Sequence, residues 1–167
     1  MTLRQVEKTS KSVRILVVDD YEPWRDFIAD TLKKEPGLQV IGKVSDGSAA
    51  VQQAHQLKPD LILLDVGLPT LNGIEAATRI RESSPSSKIL FVSENRSVDV
   101  VEKALSTGAG GYLNKSDAAS ELLPAIKAVL EGKRFISATL AGHFLVASTL
   151  VTTQTLSSIV MLISGTG

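Results

Sequence analysis

A chain of 167 residues has room for one domain and a tail, or for one domain and a very small second one. Its 43% hydrophobic and 22% charged residues are ordinary for a soluble globular protein, and 18 acidic against 18 basic side chains give no case for nucleic acid or an acidic partner. No cysteine is present, which excludes disulfides, thiolate catalysis and Cys-ligated metals and agrees with a cytoplasmic protein; residues 1–12 are polar and lack the apolar core of a signal peptide.

Val13 to Val18 reads as a buried strand that runs into Asp19 and Asp20. Pro23 suits the first turn of a following helix, in which Trp24, Phe27, Ile28 and Leu32 recur at helical spacing up to Pro36-Gly37. Leu38 to Val44 is a second strand. Ser45 and Asp46 cap a helix that runs to Leu57 and stops before Pro59. Leu61 to Asp65 is an unbroken aliphatic run ending on a carboxylate, with Gly67 and Pro69 close behind, the pattern of a strand buried on both faces. Asn72 and Glu75 have the spacing of a capping box and open a helix to Ser83. Lys88 to Ser93 is the fourth strand, and Ser97 caps a helix through Thr107. Gly111 to Asn114 is a short fifth strand closed by Lys115. A last helix starts at Asp117 or Ser120 and runs to Glu131, with Pro124 expected in or near its first turn.

Five strand-helix repeats predict a flavodoxin-like (βα)5 fold, a doubly wound parallel sheet of strand order 2-1-3-4-5. Ligands of such sheets bind beyond the carboxyl ends of the strands, at the switch point between the first and third. Asp19, Asp20 and Asp65 should converge there. Three carboxylates in one crevice repel one another, and a divalent cation resolves the conflict; hard oxygen ligands without His or Cys favour Mg²⁺. Ser93 and Lys115, ending strands four and five, add a hydroxyl and an ammonium. Together these groups make a phosphoryl-transfer set. Taken singly, each has a plainer reading: a cap, a turn residue, a strand-end hydroxyl, a solvated lysine. Their common position at strand ends favours the chemical one.

The text that carries this set resembles the receiver domain of a bacterial two-component response regulator. It comprises Ile15-Leu16-Val17-Val18-Asp19-Asp20, Leu61 to Asp65 with Leu68-Pro69 and Asn72-Gly73, Phe91-Val92-Ser93, and Gly108 to Lys115. The resemblance covers residues 13–136. It implies a phosphorelay switch rather than an enzyme, with Asp65 accepting phosphate from a histidine kinase or phosphotransfer protein. It also implies Mg²⁺ held by Asp20, Asp65 and the Gly67 carbonyl, with Asp19 acting through water. Ser93 and Lys115 would bind phosphoryl oxygens, and Tyr112 would follow Ser93 as an aromatic switch. Departures from the usual receiver text are Leu68, Gly67, Glu94 and Ser116. Ser116 after the lysine and the phrase Gly132 to Ser137 point to the subgroup that normally bears a LuxR-type helix-turn-helix.

No Asp, Glu, Lys or Arg occurs from Phe135 to Gly167. Residues 137–167 are therefore expected to be an uncharged tail, following a flexible segment 1–12 and a receiver domain 13–136. The tail is too short for the usual DNA-binding domain and has no cation to meet phosphates, so no direct nucleic-acid binding is expected from it. It could cover the receiver or a dimer partner, or be a remnant of an effector domain; as a membrane segment its Ser, Thr, Gln154 and His143 make it poor. The reading is a switch acting through protein contacts or as a homodimer. Its alternatives are a truncated or remodelled transcription regulator, a receiver that no longer takes phosphate, and an aspartyl-phosphate hydrolase, against which Gly67 argues.

Overall fold

The computed structural model describes residues 11–142. The chain order is β1 (Val13–Val18), α1 (Glu22–Lys33), β2 (Leu38–Val44), α2 (Gly47–Leu57), β3 (Leu61–Leu64), α3 (Gly73–Ser83), β4 (Lys88–Ser93), α4 (Val98–Ser106), β5 (Gly111–Asn114), a 3-10 turn (Lys115–Asp117), α5 (Ala118–Leu130) and β6 (Phe135–Ile136). All strand pairs are parallel and the sheet order is β2-β1-β3-β4-β5-β6. The expected doubly wound order is present, extended by one short edge strand.

Alternate residues of each central strand serve opposite faces. Ile15, Val17, Leu61, Leu63, Leu90, Val92 and Leu113 pack with Ile28 and Leu32 of α1 and Leu122, Ile126 and Val129 of α5. Leu16, Val18, Ile62, Leu64, Ile89, Phe91 and Tyr112 pack on the other face with α2, α3 and α4. Both cores meet at β3, whose four residues are all buried. In α1, Trp24 is half-buried and Phe27 remains 41% exposed, so only part of the periodic stripe reaches the core.

Local chemistry sets the helix starts. Asp46 accepts from the Ala49 N–H at 2.8 Å, and Asn72 accepts from the Glu75 N–H at 2.9 Å. The reciprocal half of the expected capping box does not form, because the Glu75 carboxylate faces Arg79 instead. Ser97 occupies the cap position of α4 without a side-chain bond; its N–H donates to Asn95 Oδ1. Pro124 is the main departure. It lies in the middle of α5 rather than in its first turn, since the helix begins at Ala118 behind the 3-10 turn. Its ring points to solvent, as does Ser120 one turn earlier, so the carbonyl it leaves unpaired can be hydrated.

From Ser137 to Leu140 the chain stays docked. The Ser137 N–H donates to the Tyr112 carbonyl at 3.0 Å, and the Ser137 hydroxyl contacts Asp117 and, at 2.9 Å, Glu121. Thr139 Oγ1 donates to Asp117 Oδ1 at 2.6 Å, and Leu140 is buried in the same core as Tyr112. These hydroxyls, Ser137 first and then Thr139, hold the Asp117 pKa below its ordinary value. The sequence readings of His143, Gln154 and the remainder of the tail fall outside the described residues, as do those of residues 1–10.

Candidate functional site

The carboxyl ends of β1, β3, β4 and β5 line one cleft of about 360 Å³, bounded by Asp20, Asp65, Gly67, Ser93, Glu94 and Lys115 among others. The Asp65 loop is held from below by α3. The Gly73 N–H donates to the Val66 carbonyl at 2.8 Å, and a Cβ at Gly73 would lie 1.8 Å from the Asp65 carbonyl oxygen, so only glycine permits this approach. The Val66 N–H in turn donates to Asp65 Oδ1 at 2.8 Å.

Carboxylate oxygens of Asp19, Asp20 and Asp65 lie within 4.8 Å of one another, as the sequence reading expected. Asp19 and Asp65 are buried and Asp20 is exposed. Lys115 enters this cluster from the end of β5, with Nζ 2.6 Å from Asp19 Oδ2 and 3.3 Å from Asp65 Oδ2. Among the described residues this ammonium is the one polar partner of the buried Asp19 Oδ2. Burial pushes the Asp65 pKa up, Lys115 pulls it down and Asp19 raises it again, leaving it at about 6 against an ordinary 3.8. For Lys115, burial lowers the pKa, but the hydrogen bond and charge of Asp19 and the charge of Asp65 outweigh it and the result is raised. The lysine therefore stays an ammonium.

Three converging carboxylates faced by a single ammonium, all hard oxygen donors, suit a divalent cation. Gly67 lines the same cleft.

Ser93 ends β4 with its hydroxyl accepting from the Asn95 N–H at 3.1 Å. Tyr112, fully buried, stacks on Phe91 with ring centroids 6.1 Å apart and donates its hydroxyl to the Asn95 carbonyl at 2.7 Å. Burial raises the Tyr112 pKa, Ser93 lowers it and the Asp65 charge raises it. Asn95 thus joins Ser93 to Tyr112. Sequence reasoning did not single it out, because it contributes mainly backbone atoms. Trp24 is the other contact it missed: the Lys115 ammonium lies 5.2 Å from the centre of its ring. Its place in an apolar helical stripe marked it only as a packing residue.

A second cavity, of about 260 Å³, opens at the opposite end of the sheet and is lined by Arg81, Lys88, Lys133 and Arg134 with small residues. Lys88 Nζ there donates to the carbonyls of Val129 and Leu130, both at 3.2 Å, so it compensates the carboxyl end of α5. The carboxylate cluster and its chemistry lie at the other end.

The family described as "Response regulator receiver domain" matches residues 15–127. The chain belongs to the response-regulator receiver family. Receivers of this family are signalling switches. Response regulator GacA of Pseudomonas viridiflava is 35% identical over 136 residues, which is 81% of this chain and 64% of that protein. The transcriptional regulatory protein LiaR of Bacillus subtilis is 35% identical over 133 residues, 80% of this chain and 63% of its own length. This receiver thus spans less than two thirds of the curated relatives it matches. Among solved structures, a LuxR-family two-component response regulator from Aurantimonas sp. SI85-9A1 superimposes with a TM-score of 0.79 at 30% identity, covering 83% of this chain and 99% of that one.

Proposed function

We propose that this receiver takes a phosphoryl group on Asp65 with Mg²⁺ bound by Asp20, Asp65 and the Gly67 carbonyl, and with Asp19 acting through water. The observation that carries the reading is the position of Asp65: a buried carboxylate at the end of β3, in a three-carboxylate cluster, with an ammonium 3.3 Å away. A bound divalent cation would neutralise the clustered carboxylates and the incoming phosphoryl oxygens. Asp65 supplies the nucleophile: a carboxylate oxygen forms a bond to phosphorus as the donor's bond to phosphorus breaks, and the product is an acyl phosphate. Lys115 leaves Asp19 to meet one phosphoryl oxygen, and the Ser93 hydroxyl turns from the Asn95 N–H to meet another.

That second movement is the switch. Drawing Ser93 toward the phosphoryl group disturbs Asn95, whose carbonyl holds the Tyr112 hydroxyl. Tyr112 also carries, through its own carbonyl, the N–H of Ser137. A change at Asp65 therefore reaches the chain beyond β6 through three residues. We take residues 13–136 as the receiver unit; the docking of Ser137, Thr139 and Leu140 supports extending it at least that far. The donor is a histidine kinase or phosphotransfer protein, and the output surface is a protein contact or a homodimer.

A second reading is favoured by the lengths and printed names of the relatives. LiaR is called a transcriptional regulatory protein, and this chain covers 63% of it. On this reading the switch governs a DNA-binding output.

Intact-protein mass after incubation with Mg²⁺ and a small phosphodonor tests the acceptor. One added phosphate is expected, dependent on Mg²⁺ and lost in Asp65→Asn. Uptake by the variant at the parent's rate would overturn the assignment.

A further inference from the structure

Lys115 touches three groups. Two of them, Asp19 and Asp65, belong to the carboxylate cluster suited to a divalent cation. The third is the face of Trp24. We propose that Trp24 is a positioning residue for Lys115, holding its ammonium over the cleft once the carboxylates are engaged by cation and phosphoryl group. The inference rests on the reading of Lys115 as a phosphoryl-binding residue.

Electrostatics gives the reason. With only carboxylates in the cleft, the lysine is held by Asp19 at 2.6 Å and by Asp65 at 3.3 Å. A divalent charge bound to the same carboxylates takes up their attraction and repels the ammonium. Lysine has a flexible four-carbon stem and no planar fork to fix it. Until a phosphoryl oxygen is in place it has no other hold and would swing toward solvent. The indole face attracts a cation through its quadrupole within about 6 Å of the ring centre. A cation bound to oxygen ligands does not compete for that face. The ammonium is 5.2 Å from the ring centre, and the lysine side chain is only 11% exposed, so the attraction is weakly screened.

The ring is itself held in place. Trp24 stands in the first turn of α1, four residues after Asp20 and next to Pro23, and its backbone N–H donates to the Tyr21 carbonyl at 3.1 Å. Its neighbour Arg25 donates to the Asp19 carbonyl at 2.7 Å, which ties this turn to the end of β1. The indole packs on the core beneath α1 and against Phe27, centroids 5.2 Å apart and planes tilted by 41°. The face that holds the lysine thus stands on a turn tied to the segment that carries the acidic pair.

The test uses the full chain, with beryllofluoride as the phosphoryl mimic and saturating Mg²⁺. Trp24→Leu should bind the mimic about three- to tenfold more weakly, while Trp24→Phe, which keeps an aromatic face, stays within about threefold of the parent. In a Lys115→Met background, Trp24→Leu should cost nothing further. Proton NMR on lysine-labelled protein gives a readout independent of phosphorylation: the Lys115 ε-methylene signals, shifted upfield by the indole, should stay shifted with Mg²⁺ and mimic bound. The proposal is overturned by mimic binding in Trp24→Leu equal to that of the parent, by a loss that persists in the Lys115→Met background, or by disappearance of the shift when Mg²⁺ is added. The last measurement needs no substitution and decides the matter even where Trp24→Leu fails to fold. Failure of the parent itself to bind the mimic in an Asp65-dependent way would sink the acceptor assignment instead.

Discussion

Replacing Asp65 with Asn should make the fold more stable at neutral pH. Burial, partly offset by Lys115 and reinforced by Asp19, raises the Asp65 pKa from 3.8 to about 6. A carboxyl group whose folded pKa lies above its unfolded value binds its proton more tightly in the folded state. The stability this gives is fully present below about pH 4 and is lost as the pH rises through about 6. At 1.36 kcal/mol per pH unit, the ionised carboxylate costs on the order of 2–3 kcal/mol at pH 7.5. An amide of the same shape escapes that cost and still accepts from the Val66 N–H. Urea unfolding with EDTA should therefore show Asp65→Asn ahead by roughly 2–3 kcal/mol at pH 7.5, a midpoint shift of about 1–2 M, with the advantage shrinking toward zero near pH 4. Added Mg²⁺ should stabilise the parent more than the variant and narrow the gap. A variant no more stable than the parent at pH 7.5, or one equally ahead at both pH values, would refute the reasoning.

Thr70, at φ 68°, holds a left-handed conformation in the loop after Asp65. Relief of about 1–2 kcal/mol of strain, less the greater freedom of an unfolded glycine, should make Thr70→Gly more stable by about 0.5–1 kcal/mol in thermal melts; a lower melting temperature would contradict this. Leu140→Ala should cost about 2–4 kcal/mol in denaturant unfolding, because the side chain is buried beside Tyr112 and Val101; an unchanged midpoint would separate this segment from the receiver core. Glu94 is an exposed carboxylate on the rim of the cleft that holds Asp65, so Glu94→Gln should tighten beryllofluoride binding about two- to fivefold by calorimetry, and no change would mean its charge is screened.

Strands β1, β3, β4 and β5 were legible because each is a largely apolar stretch closed by a polar residue, and Asp19, Asp65, Ser93 and Lys115 mark where those stretches stop; β2, with Gln39, Gly42 and Lys43 inside it, was marked instead by Pro36-Gly37 before it and the Asp46 cap after it. The convergence of the three aspartates followed from topology alone. What the sequence concealed depends on tertiary approach. Phe135-Ile136 is too short to show any period, and it becomes a strand only because β5 offers a free edge. Pro124 argued for a helix start; its outward-facing position lets α5 pass through it. The contact of Trp24 with Lys115 joins the first turn of α1 to the end of β5, and no spacing along the chain announces it. The hydroxyls of Ser137 and Thr139 looked like the start of an uncharged tail until Asp117 was seen beneath them.

The glycine at position 73 has a consequence for how such a switch can evolve. Because the start of α3 lies against the backbone of Asp65, that carboxylate shares a rigid footing with a helix and cannot be re-aimed without displacing it. On the proposed acceptor role, sensitivity and lifetime would be tuned by the movable groups around a fixed point: the ammonium, the hydroxyl and the rim carboxylate. Lineages of this receiver should accordingly be free to vary at the rim while the footing stays frozen.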